Sequence, residues 1–196
     1  MRHAQNEYVS ARNAANRARS PLTTIEVIPA APDQEPVLAN LLELYVHDFS
    51  EFLDIELGED GRFGYADLPR YWREIDRHPF LVRIDGRWGG FALVRKGSAN
   101  SGNAVVWDMV EFFVVRRYRR LGIGTRIAHE AWRRFPGKWE IRVMQSNDSA
   151  RRFWEHAIEE FAGHEVQSSR FEKNGAWCTV FSFEAIPPVP RMLPVL

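Results

Sequence analysis

The stretch Phe112-Phe113-Val114-Val115-Arg116-Arg117-Tyr118-Arg119-Arg120-Leu121-Gly122-Ile123-Gly124-Thr125 decides the fold. An apolar strand runs into an arginine-rich, glycine-punctuated turn, and helical spacing follows from about Gly122 to Phe135. Physically this is an anion cradle. Unbonded amides at a helix start carry positive partial charge, and Gly122 and Gly124 let backbone approach an oxyanion without a Cβ in the way. Arg116, Arg117, Arg119, Arg120 and Arg126 surround the turn, with no acid between Glu111 and Glu130. The ligand expected is a phosphate group, or more than one. No Lys-Ser/Thr follows the glycines, which excludes the triphosphate-binding loop. A dinucleotide fingerprint needs a small residue where Ile127 stands and glycines after the first strand, although Glu140 mimics its ribose-binding acid. An arginine-rich helix start with a purely structural role is the bland alternative.

Outward from this turn the pattern is regular. Leu22–Ile28 alternates as a first strand ending at Pro29. Asp33 can cap a helix whose apolar positions run from Val37 to Leu53, and Gly58, Gly61 and Gly64 mark a loop. Asp67 with Pro69 opens a short helix, Leu68–Asp76, which His78-Pro79 ends. Phe80–Ile84, Asp85-Gly86 and Arg87–Arg95 read as a hairpin, with Gly89-Gly90 predicting a bulge. A strand over Ala104–Val115 precedes the turn, and Pro136-Gly137 stops the helix that follows it. Then come strand Trp139–Gln145, helix Asp148–Glu160, and a closing hairpin of Glu165–Glu172 and Ala176–Phe183 joined through Asn174-Gly175. The order β-α-α-β-β-β-α-β-α-β-β predicts an α+β domain over 22–184, a mixed, mostly antiparallel sheet with helices on both faces.

Bulk composition narrows the function classes. In 196 residues, 26 Lys+Arg balance 26 Asp+Glu, so the basic excess of a general nucleic-acid coat is missing. No apolar run is long enough to span a membrane. Cys178 is the only cysteine, which excludes a disulfide framework or multi-cysteine zinc site and makes a cytoplasmic, reducing compartment the expectation. We read Cys178, between Trp177 and Thr179, as a small core residue. Residues 1–21 are a basic extension with little apolar material, expected to be a frayed or loosely helical tail, though an organellar transit peptide has the same character. Residues 185–196 are a proline-rich tail. Exposed strands and this tail make a homodimer one expectation.

Arg119-Arg120-Leu121-Gly122-Ile123-Gly124 resembles the Q/R-x-x-G-x-G/A motif of the GNAT superfamily of N-acetyltransferases. Asn147-x-x-Ala150-x-x-Phe153-Trp154 resembles that superfamily's second helix motif. The similarity extends over about residues 22–184, including element order. It implies acetyl-CoA as acyl donor, with the backbone of Phe112, Phe113 and Val114 pairing with the pantetheine arm as an extra strand. It also implies that Arg119, Arg120, Leu121, Gly122, Ile123, Gly124 and Thr125 hold the diphosphate, chiefly through the amides from Arg120 to Thr125. Asn147 would bond near the pantetheine or a water, or else cap its helix. In such proteins strands four and five part at this point.

Transfer to an amine needs a base, and two acids lie on the right strand. Glu111 is our first candidate and Asp108 the second; each could instead simply partner an arginine. Their odd spacing puts them on opposite faces of a regular strand, but a bulge would bring either inward. Many GNAT members carry a tyrosine where Trp154 stands, and an indole cannot protonate a leaving thiolate. Tyr118, His156 or water would then do so, or the thiolate would leave unassisted. The acceptor is framed by Leu41–Gly61, which carries seven acids and no Lys or Arg. That is either a solvated face or a field that attracts a cationic amine, with Tyr45, Asp48 and Glu51 as candidate contacts and Tyr65, Tyr71 and Trp72 adding an aromatic wall. The implied activity is acetyl transfer to a primary amine of a small molecule or protein by direct attack in a ternary complex, with no metal. The alternative is a non-catalytic acyl-CoA-binding or interaction module on the same fold.

Overall fold

The structure, a computed structural model, describes residues 23–173 and 175–186. The basic extension, most of the proline-rich tail, Leu22 and Asn174 lie outside these. Seven strands form one sheet: β1 (Ile25–Pro29), β2 (Arg77–Ile84), β3 (Arg87–Lys96), β4 (Trp107–Val114), β5 (Gly137–Met144), β6 (Gln167–Lys173) and β7 (Ala176–Ala185). Their spatial order is β1-β2-β3-β4-β5-β7-β6, antiparallel throughout except at β4–β5. The helices are α1 (Glu35–Phe49), α2 (Ile123–Arg134) and α3 (Asp148–Ala162), with 3-10 turns at Pro32–Gln34, Leu68–Trp72 and Arg116–Tyr118. No helix among the described residues is long and apolar enough to cross a membrane.

Strand periodicity splits the core into two layers. On β3, Phe91 and Leu93 pack with Leu38, Leu41 and Leu42 of α1. Ala92 and Val94 point the other way, toward Ile127 and Trp132 of α2 and Trp154 and Ile158 of α3. Alternation along one strand thus supplies both faces, and burying large side chains such as Trp132 and Leu38 stabilises each by about 2–3 kcal/mol. The architecture is the mixed α+β sandwich that the element order predicts.

Several boundaries differ from the expectation. β1 begins only at Ile25 and takes Pro29 as its last residue, tolerated because β1 is an edge strand. The first helix starts at Glu35, after a 3-10 turn in which the Gln34 side chain accepts from Ala31 N at 3.0 Å, so Asp33 is not its cap. It ends at Phe49, and Phe52 and Leu53 continue only as turns. The expected second helix shrinks to one 3-10 turn. His78-Pro79 is not a stop but part of β2: Pro79 offers its carbonyl to Ala30 N at 2.9 Å just beyond the end of β1, so the N–H it lacks would face that side and no bond to β3 is lost. Ala104–Val106 remain outside β4, which starts at Trp107.

The bulge read from Gly89-Gly90 is present: Val82 pairs with Gly90 and Arg83 with Trp88, leaving Gly89 extra. Gly90 has a second role. A Cβ built there would lie 2.2 Å from the Phe113 carbonyl oxygen. Only glycine lets β3 approach the end of β4 this closely. We expect Gly90→Ala to cost about 3 kcal/mol through forced backbone displacement, lowering Tm by roughly 6–12 °C in a thermal melt.

Candidate active site

The site begins with a register shift. Leu93 pairs with Glu111 but Val94 pairs with Met109, so Val110 is an extra residue in β4. The bulge cancels the odd spacing between Asp108 and Glu111. Both now lie on the face of Phe91, Leu93 and Phe113, toward α1.

Glu111 there accepts two phenolic hydrogen bonds. Tyr45 Oη donates to Oε2, and Tyr65 Oη donates to Oε1 at 2.9 Å. Burial pushes the Glu111 carboxyl above the ordinary carboxylate range, while the two phenols take back part of that shift. Burial also raises both tyrosines, and the Glu111 charge raises them further, so both remain proton donors. Asp108 is in a different position. It is buried and receives Arg95 Nη2 at 2.7 Å, and burial raises its pKa despite that arginine. Asp108 is therefore committed to an ion pair, whereas Glu111 is held only by neutral donors.

The sheet opens next to Glu111. β4 and β5 pair only at Trp107–Trp139 and Asp108–Glu140. Beyond that pair, β5 is joined to β7 alone, and the edge of Phe112–Val114 that faces β5 has no strand partner. The turn after β4 is exposed, with Arg120 at φ 60° and Gly122 at φ 71°. The first bond of α2 is from Arg126 N to Gly122 O at 3.2 Å. Among the described residues, the amides from Arg120 to Thr125 donate to no backbone carbonyl. Leu121 is half exposed and Ile123 is buried beneath the turn.

The two glycines do different work. Gly122 supplies the left-handed conformation, which costs other residues roughly 1–2 kcal/mol. Gly124 instead gives room to α3, because a Cβ there would lie 3.0 Å from Phe153 Cε2. The arginines also divide. Asp48 of α1 receives Arg116 (Nε 3.0 Å, Nη2 2.6 Å) and Arg119 (Nη2 2.5 Å). Burial alone would raise the Asp48 pKa, but these two guanidinium groups outweigh it and hold the carboxyl below its usual range. Arg119 Nε braces the Val114 carbonyl at 2.7 Å. Asp48 and Arg119 are thus a bolt between α1 and the turn. Glu51 is exposed just past α1, where its charge reinforces Arg116.

On the opposite face Phe112 stacks on Phe153 (5.7 Å) and meets Trp154 edge-on (4.9 Å). Trp154 is buried among these rings and Trp132. Asn147 Oδ1 accepts from Ala150 N at 3.0 Å, the capping role. His156 is exposed beside Glu160, and Tyr118 packs on the α2–α3 core layer. Cys178 is buried in β7.

A carboxyl whose pKa is raised by folding binds its proton more tightly in the native state, so stability is fullest below the unfolded pKa and falls as pH rises through the folded one. Glu111→Gln removes that penalty while keeping the shape. We expect Tm of this variant to exceed the parent's at pH 8, with the gap narrowing toward about pH 4.5, near the ordinary glutamate pKa.

With this geometry in view, the comparisons with known proteins are consistent. The model of the acetyltransferase (GNAT) family matches residues 38–158. An acetyltransferase from Thermus thermophilus is similar at TM-score 0.60 and 17% identity, over 82% of this chain and 97% of that one. NAA60 of Arabidopsis thaliana, solved with a bisubstrate analogue, gives TM-score 0.54 and 16% identity over 82% and 98%. A GNAT-family acetyltransferase of Streptococcus pneumoniae gives 0.54 and 13% over 82% and 99%. No curated protein sequence matches. With a family model spanning the bulged strand, the open edge and the amide turn, the chain belongs to the GNAT family of acetyltransferases.

Proposed function

We propose that the protein transfers an acetyl group from acetyl-CoA to a primary amine of a small molecule or protein, by direct attack in a ternary complex. The observation that carries this is the gap between β4 and β5 beside exposed, unbonded amides from Arg120 to Thr125. The residues present fit the donor. A strand edge of alternating N–H and C=O groups lies next to a positively polarised helix start, matching an amide-containing arm that ends in a diphosphate. When bound, acetyl-CoA supplies an activated thioester carbonyl.

The chain's own groups then divide the work. Phe112–Val114 orient the arm, and the turn amides hold the diphosphate. Glu111 is the base that takes the amine's proton, poised by burial and steadied by Tyr45 and Tyr65. Asp108, paired with Arg95, is assigned a structural part in holding β4 against β3. The indole N–H of Trp154 is far too weak an acid to protonate a thiolate, so the sulfur leaves without help from that position. Placement in the cytoplasm belongs to the same proposal and rests on the cysteine-poor composition, with Cys178 alone.

Acetyl-CoA at one hundred times its Kd should raise stability by about 2.7 kcal/mol, a Tm gain of roughly 5–11 °C. Thiol release with an amine panel should fall about 10²–10⁴-fold in Glu111→Gln. No thermal shift at millimolar acetyl-CoA would overturn the proposal. Binding with no turnover for any amine would favour the non-catalytic acyl-CoA module, the reading that the buried Trp154 supports.

A further inference from the structure

Both carboxylate oxygens of Glu111 are occupied. Oε2 accepts from Tyr45 and Oε1 from Tyr65. The two phenols lie in unlike surroundings. Tyr45 is packed among Phe49, Phe91 and Phe113, with ring centroids at 4.6, 5.7 and 6.1 Å. Tyr65 instead lines a cleft of about 590 Å³ between α1 and the segment 56–69, and Glu111 does not line it. Tyr65 therefore connects the cleft to the buried carboxylate.

The cleft has the chemistry of a seat for a cation. Glu35, Glu43, Glu56 and Asp60 line it, against the single guanidinium of Arg62. Glu43 is used to build the wall, accepting Phe63 N at 2.8 Å and Gly64 N at 3.1 Å and pairing with Arg62 at 3.4 Å. Asp60 accepts Arg62 N at 3.1 Å. Glu35 and Glu56 make no ion pair among the described residues, which leaves negative charge for a ligand.

We propose that Tyr65 is a catalytic residue that relays to Glu111 the proton of an acceptor amine seated in this cleft. As the nitrogen–carbon bond forms, the carbon–sulfur bond breaks and its electron pair leaves on sulfur. The amine proton passes to Tyr65 Oη while the Tyr65 proton passes to Glu111 Oε1. Tyr65 is regenerated as a phenol, Glu111 ends protonated, and the proton returns to solvent after product release. Concerted transfer avoids a free phenolate, which the raised Tyr65 pKa opposes. Tyr45, enclosed by rings, is a positioning residue. The proposal rests on Glu111 as the base, and the test separates the two.

The probes are spermidine, kanamycin and a lysine-containing peptide in a thiol-release assay with acetyl-CoA. Tyr65→Phe should lower kcat/KM for the best probe about 100-fold, with the acetyl-CoA thermal shift unchanged. Tyr45→Phe should lose less than tenfold and move the acidic limb of the pH–rate profile to higher pH, because Glu111 loses a donor that stabilises its carboxylate. In mixed H2O/D2O the parent's kcat should bow, as two moving protons require, and Tyr65→Phe should give a straight line. Tyr65→Phe keeping more than a third of the rate while Glu111→Gln is inactive overturns the relay and leaves Glu111 as a direct base. An active Glu111→Gln overturns the base assignment itself. Should Tyr65→Phe fail to fold, a linear proton inventory in the parent still overturns the relay. No thiol release with any of the three probes, while acetyl-CoA binds, overturns the cleft as the acceptor's seat.

Discussion

β4 and β5 are parallel neighbours that hold together for two residue pairs and then separate, and the rest of the site depends on that separation. A continuous sheet would pair every main-chain group of Phe112–Val114 and leave no edge for a ligand to join. The gap persists because each strand is secured elsewhere. β4 is zipped to β3 from Trp107 to Val114, and β5 to β7 from Gly137 to Met144. Two antiparallel ladders thus supply the rigidity that lets an interior edge remain unpaired. Gly90 extends the β3 ladder to the last turn of β4, and Arg119 braces the Val114 carbonyl where that ladder stops.

The same strand carries an opposing energetic demand. A bulge at Val110 turns Glu111 into the layer beneath α1, where a carboxylate is poorly solvated. Burying a charge is unfavourable, and here no cation contacts it directly; two phenols from separate segments compensate. That arrangement gives up folding stability in return for a carboxylate basic enough to accept a proton, a trade typical of functional sites. Asp108, three positions earlier on the same face and opposite Arg95, shows the other solution: an ion pair that fixes the strand.

Asp48 links the two halves of the molecule. It lies on the helix that carries Tyr45, and it captures the two arginines bracketing the start of the amide turn. Two of the cations near the turn are thereby tied to α1 as scaffold. Under the proposed function, the grip on a diphosphate falls to main-chain donors and to the exposed Arg120. Backbone donors suit this role, because they are already oriented and lose little conformational entropy on binding.

Much of the fold was legible in the primary structure. The glycine-punctuated arginine turn, the hairpin around Asp85-Gly86, the bulge at Gly89 and the apolar spacing of α2 and α3 are local patterns, set by neighbours within a few residues. They were sufficient for the α+β class and the position of the amide cradle. Boundaries went astray where long-range pairing overrode local signals, as when β2 absorbed His78-Pro79. The chemistry of the site depended on distance in space. Asp108 and Glu111 share a face only through the Val110 bulge, and no residue type marks a bulge there. Tyr45 and Tyr65 meet Glu111 from 66 and 46 residues away, and Asp48 reaches Arg116 across 68. By itself the sequence determined where the turn of free amides lies, because that needs only consecutive amides, glycine and a helix start. Only tertiary structure decided which carboxylate became the candidate base and which became a brace, because burial and hydrogen-bond partners arise from segments distant along the chain.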